Sequence, residues 1–242
     1  MISRGVSLSL SNISFTIGPD GFSGSDAKVT VSLDLTPYWL EIAVGQTEVA
    51  LEEHAAVLAA WKAGDSASMG AAMEAECKAS MQAAVAAAVA LDAFYATVRR
   101  YVTLSEEEVA TWRAKRTARY KQIAEVFRRG FLVGPKSTKI LSKTLGQIFD
   151  VRDKAVHPPA TASEPVLYPE LRTGTEWRFV MFCGTNAQAI TRESLSVVVQ
   201  LLGRPREKNV KLVEYCKPAL ANIEPTVTRW EERYGQLYPR PS

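Results

Sequence analysis

Residues 73–92 read MEAECKASMQAAVAAAVALD, and the reading of this stretch decides the fold. Met73, Cys77, Met81, Val85 and Val89 recur at every fourth position, the period of a helix, with alanine filling most places between them. Such a helix is apolar on its flanks as well as on its main stripe, so it has to be covered from several sides. It is expected to span about 67–102 as the central, nearly buried member of a bundle. Its longest unbroken apolar run, 83–91, lies between Gln82 and Asp92. A membrane span needs about 20 such residues, so the chain reads as soluble.

The neighbouring segments carry helix signals of their own. A helix is expected over about 37–63, with Pro37 suited to its first turn and Gly64-Asp65 ending it. Ser105 and Glu108 have the spacing of a capping box, which starts a third helix reaching about Arg129 before Gly130 and Gly134-Pro135. Ser137 can cap a fourth, with Leu141, Leu145, Ile148 and Phe149 on one face. Pro158-Pro159 stops it, because the residue before a proline is pushed out of the α region.

Before the helices, Val6, Leu8 and Leu10 alternate with polar residues, then Ile13, Phe15 and Ile17 carry the apolar side. That one-residue shift asks for a bulge near Ser11-Asn12. Gly18-Pro19-Asp20-Gly21 supplies a turn, and Val29, Val31, Leu33 and Leu35 form the returning arm of a β-hairpin within 1–36. Beyond a Pro/Ala/Ser loop, 177–183 reads as a short buried strand that would complete a small antiparallel sheet with the hairpin. Asn186 can cap a helix ending at Leu202-Gly203. The tail from Glu207 is helical in pattern but broken by Pro218 and Pro225. The expected fold is mainly α: one domain over 1–242, an up-and-down helical bundle with a small antiparallel β-sheet.

Composition narrows the chemistry. Lys and Arg total 29 against 26 Asp and Glu, a formal charge of +3. A nucleic-acid partner would therefore be met by a local patch and not by bulk charge. Three cysteines, Cys77, Cys183 and Cys216, are far apart and odd in number, and 1–20 has no cationic and apolar leader, which together read as a reduced cytoplasmic protein. Two histidines and scattered cysteines supply no sequence-local zinc site, and no metal or other cofactor is expected. Gly134-Pro135-Lys136-Ser137-Thr138 lacks the glycine directly before its lysine and a preceding strand, so it is no phosphate loop.

Two constellations remain. At the end of the fourth helix, Arg152-Asp153 precedes His157 by one helical turn. If that turn is helical, Asp153 and His157 share a face, and the carboxylate would orient the imidazole. Arg152 would be free to address a phosphate. An acid–base histidine, an orienting carboxylate and an anion clamp are a minimal set for phosphodiester cleavage without metal. The second is the basic run 113–129, which holds seven cations and one acid, with Tyr120 within it and Trp112 just before it. Arg113, Arg116, Arg119 and Tyr120 are its candidate nucleic-acid contacts. Asp92, an acid inside the most apolar helix, needs a cation from a neighbour, and Arg152 is one candidate.

Arg152-Asp153-x-x-x-His157 at the end of an amphipathic helix resembles the R-x(4–6)-H motif of HEPN domains. The resemblance covers 37–157. It implies a helical bundle, usually a homodimer whose two motifs meet in one cleft, and an activity as a metal-independent endoribonuclease acting on RNA. It also implies a toxin–antitoxin or antiviral role, with an antitoxin or other regulatory protein as a possible partner and Arg152, Asp153 and His157 as catalytic residues. The alternative is a non-catalytic helical dimer, either a protein-interaction module or the partner of a small nucleotidyltransferase.

Overall fold

The computed structural model describes residues 6–11, 15–18, 21–24, 28–157, 164–168 and 170–237, with side chains described from residue 31 onward. Within them the protein is a mainly α helical bundle with small antiparallel sheets. Strand β1 (Val6–Ser11) pairs with β4 (Lys28–Leu33), and β2 (Phe15–Gly18) pairs with β3 (Gly21–Gly24). These are two stretches of one hairpin. Ser11 faces Lys28 and Phe15 faces Gly24, so three residues separate the stretches on each arm and neither arm carries a net insertion. The bulge expected at Ser11-Asn12 extends outside the described residues. At the base of the hairpin Val31 and Leu33 are exposed.

Asp34 starts the helical part: its carboxylate accepts the Thr36 N–H at 2.9 Å and its hydroxyl at 2.6 Å. Helix α1 (Thr36–Ala63) follows with Pro37 in its first turn, and Gly64 ends it at φ 70°. Asp65 accepts the Ala67 and Ser68 N–H groups and opens α2 (Ser66–Val98), which closes in a 3-10 turn, Arg99–Tyr101. Helix α2 passes the length and composition test for crossing a membrane, yet more than half of its most apolar window is buried in the bundle. It packs against α1, α4 (Arg119–Gly130), α5 (Pro135–Val156) and α7 (Gly184–Leu202). Alanines 79, 83, 84, 86, 87, 88 and 90 are all buried, and their small side chains let the neighbouring helices approach closely. Where larger volume is needed, Phe94, Phe127 and Phe131 fill it, with ring centroids 5.0–6.1 Å apart. Each such ring contributes about 1.5–3 kcal/mol through burial alone.

Three expectations are corrected. The third helix stops early, as α3 (Glu106–Ala114), and α4 begins five residues later. A continuous helix would carry Arg116 into the stripe of Trp112, Tyr120 and Ile123. The chain instead turns at Arg116, φ 48°, with the Thr117 N–H on the Trp112 carbonyl at 2.9 Å. Residues 177–183 are not a strand: Trp177–Met181 form the short helix α6. Trp177, Val180 and Met181 fit helical spacing and line one hollow with Ile190, and the Asn186 amide donates to the Val180 and Met181 carbonyls that end the turn. Asn186 thus closes α6, and Cys183 occupies the cap position of α7. The second small sheet is β5 (Val166–Tyr168) with β6 (Thr173–Thr175), which does not join the hairpin. Finally, α8 (Val210–Tyr234) runs through both prolines. Pro218 and Pro225 are seven residues apart on the exposed side, so the carbonyls they leave unpaired face water, while Leu212, Cys216, Ile223 and Trp230 face the core.

Among the described glycines, Gly184 has the least room for a side chain. A Cβ there would meet the Ala50 carbonyl oxygen at 2.8 Å and the His54 Cβ at 3.1 Å. Gly184→Ala is expected to destabilise by about 1–3 kcal/mol, the usual cost of overpacking, measured by denaturant unfolding. A second test concerns the start of α3. Ser105 and Glu108 form a complete capping box, and Arg129 also binds the Glu108 carboxylate. These partners hold its pKa at about 2 against an ordinary 4.5. A lowered carboxylate confers stability that is present above pH 4.5 and lost as pH falls toward 2. Melting temperatures of Glu108→Gln should therefore fall less than those of the parent between pH 4.5 and pH 2.

Candidate functional site

Helix α5 carries the motif because its pattern runs unbroken to the proline stop. Leu141, Leu145, Ile148 and Phe149 are buried, and Arg152 continues that inward stripe at the last turn. There the core ends, so the guanidinium lies over the Phe149 ring at 4.8 Å and binds its neighbour Asp153 at 2.9 and 2.5 Å. His157 leaves the helix at φ −128°, its N–H donating to the Asp153 carbonyl at 2.7 Å. The three residues expected to act together do lie within one turn, but their pairing differs. Asp153 holds Arg152 instead of the His157 ring, because an adjacent guanidinium offers two charge-assisted bonds. The His157 side chain is exposed, and among the described residues it has no partner. Asp150 pairs with Lys154 at 2.7 Å on the same stretch.

The basic run divides into structural and free cations. Arg119, not Arg152, is the partner of Asp92: the two meet at 2.6 Å, and the guanidinium lies 4.2 Å from the Tyr95 ring centroid. Arg128 and Arg129 are bound by Glu125, and Arg129 also by Glu108. Arg113 and Arg116 are exposed, with no ion pair among the described residues. Tyr120 is half-buried against Gly146, where a Cβ would sit 3.4 Å from the ring. Beside it runs an open groove of about 630 Å³ between α4 and α5, lined also by Lys139, Lys143 and Asp150. Lys139 and Lys143 went unnoticed in the sequence, although their i, i+4 spacing on the helix that bears the motif was a signal.

A second polar cluster was also missed. Glu76, 2% exposed, accepts hydrogen bonds from the Gly184 N–H at 2.7 Å and from Tyr168 Oη at 3.3 Å, and pairs with His54 Nδ1 at 2.8 Å. Burial and the nearby Glu76 charge push the Tyr168 phenol well above its ordinary range, so it stays protonated and donates. His54 has its place in the joint that ties α1, α2, β5 and α7. Among the described residues no group of three His, Cys, Asp or Glu is placed to hold a metal ion.

The division of cations is testable. Arg119→Ala should lower stability by about 1 kcal/mol, the scale of a half-exposed ion pair plus a cation–π contact, while Arg116→Ala leaves it within about 0.5 kcal/mol. Urea unfolding of both variants reads the difference.

No protein-family model matches the chain, and neither does any curated protein or any solved structure.

Proposed function

We propose that the chain is a HEPN-like, metal-independent endoribonuclease. The observation that supports this reading most is the exposed imidazole of His157, without a side-chain partner among the described residues, just beyond Arg152 at the end of a helix whose inner stripe is buried. In the reaction the ribose 2′-oxygen attacks phosphorus and its proton passes to an imidazole. The P–O5′ bond breaks, the leaving oxygen takes a proton, and the products are a 2′,3′-cyclic phosphate and a 5′-hydroxyl. Arg152 would stabilise the charged phosphorane, and Asp153 orients that guanidinium. One histidine cannot be base and acid at the same moment. A homodimer with both His157 side chains in one cleft supplies the second, as the two-fold symmetry of most oligomers allows. A cytoplasmic role in defence or toxin–antitoxin control, with a regulatory protein as partner, belongs to the same proposal.

The Arg152–Asp153 pair favours a second reading. A guanidinium already engaged within its own chain suits a partner-binding surface, either a protein-interaction module or the docking face for a small nucleotidyltransferase.

Cleavage of labelled single-stranded RNA in excess EDTA decides between them. The parent should give cyclic-phosphate ends, and His157→Ala should lose at least about 10²-fold in rate, the low end of general acid–base catalysis, with an unchanged melting temperature. A parent that cleaves no RNA, or a strict monomer by light scattering at micromolar concentration, overturns the composite-site mechanism and leaves the interaction module.

A further inference from the structure

We infer that the groove between α4 and α5 is a track for unpaired RNA that leads to His157; the inference rests on the endoribonuclease reading and extends it to the substrate. Lys139 stands seventeen residues before Val156, the last residue of α5, about 26 Å along the axis, and His157 follows directly. Lys143 and Lys154 lie on the same face between them. Lys139 and Lys143 are exposed, and among the described residues neither has a carboxylate partner. The acid in the groove, Asp150, is neutralised by Lys154 at 2.7 Å. The groove therefore carries two uncompensated lysines at its far end and a neutral pair at Asp150, seven residues short of the proposed base.

Charge alone would suit any polyanion, and Tyr120 narrows the choice. Gly146 has no side chain, so the Tyr120 ring lies flush against α5 and forms an aromatic wall of the groove. The Lys121 ammonium, 5.9 Å from the ring centroid, adds a cation at the rim. An aromatic face beside two lysines one helical turn apart fits a strand whose bases are free to stack while its phosphates meet the cations. Paired bases have no face to offer, so the ligand is single-stranded. Two other hollows flank α5: one formed by Val151, Trp177, Met181 and Ile190 has no cation in its lining, and one between α5 and α7 has a single cation, Arg204, beside Glu193.

The test uses a fully 2′-O-methylated oligonucleotide, which cannot be cleaved, with anisotropy read over a salt series. The parent should bind the single strand more tightly than its duplex. Lys139→Ala with Lys143→Ala should flatten the log–log salt slope by about 1.4, or 0.7 for each lost phosphate contact to a single strand. Tyr120→Ala should weaken binding about 5- to 150-fold, and Tyr120→Phe, which keeps both the ring and its packing, should restore it. An unchanged slope, equal affinity for duplex, or no binding by the parent overturns the track. So does full displacement by polyglutamate with no sensitivity to Tyr120, which would mark a surface for acidic protein. Because the probe cannot turn over, failure of cleavage and failure of the track are read separately.

Discussion

Helix α2 has no face that can be left to water over its central turns, and the other helices are arranged to meet that requirement. Its buried residues from 79 to 90 are alanine and serine, which permit close approach of neighbouring helices, and from Leu91 onward they are larger: Leu91, Phe94, Tyr95 and Val98. Close approach has a polar cost, since a carboxylate is caught at the narrow end. Glu76 is tolerated there because a tyrosine hydroxyl, a histidine ring nitrogen and the first amide of α7 converge on it. An ionised group that deep without such bonds would cost several kcal/mol. The same bonds fix the start of α7 against α1, and Gly184 leaves that contact no slack.

Carboxylates elsewhere are used in a similar way, each binding a cation between or within elements. Asp92 joins α2 to Arg119 of α4, Glu108 joins α3 to Arg129, and Glu48 joins α1 to Arg229 and Arg233 of α8. The near balance of charges in the composition therefore conceals an uneven surface. Among the cations left over, two pairs lie near the groove between α4 and α5. Lys139 and Lys143 share one face of α5, and Arg113 and Arg116 stand at the turn before Tyr120.

The sequence was legible where local chemistry acted alone. Pro37, Gly64, the Ser105–Glu108 box and the Pro158 stop each mark a helix end within a residue or two, because a cap or a proline acts through its immediate neighbours. It was least legible where tertiary context overrode a local signal. The prolines of α8 look like breaks until the exposure of both is known. The 177–183 segment is apolar and short, and such a run has no period long enough to separate strand from helix. The motif was located correctly on the last turn of α5. The partner of Asp153 was not, since i, i+4 spacing favours the histidine while the adjacent arginine wins on charge. Glu76 and Asp92 lie in the same alanine-rich helix, and only the partners supplied by other elements tell a joint from a surface pair.

Helix α8 closes the bundle from outside, tied by Asn209 to the Tyr101 carbonyl at one end and by Glu48 to Arg229 and Arg233 near the other. Its two prolines forgo two amide hydrogen bonds, but they also act before the chain is folded. Each holds φ near the helical value, so the unfolded tail samples fewer shapes than an ordinary sequence of that length, while the residue before each proline is biased against the helix. Part of the entropy of ordering this last helix is thus already absent from the unfolded chain.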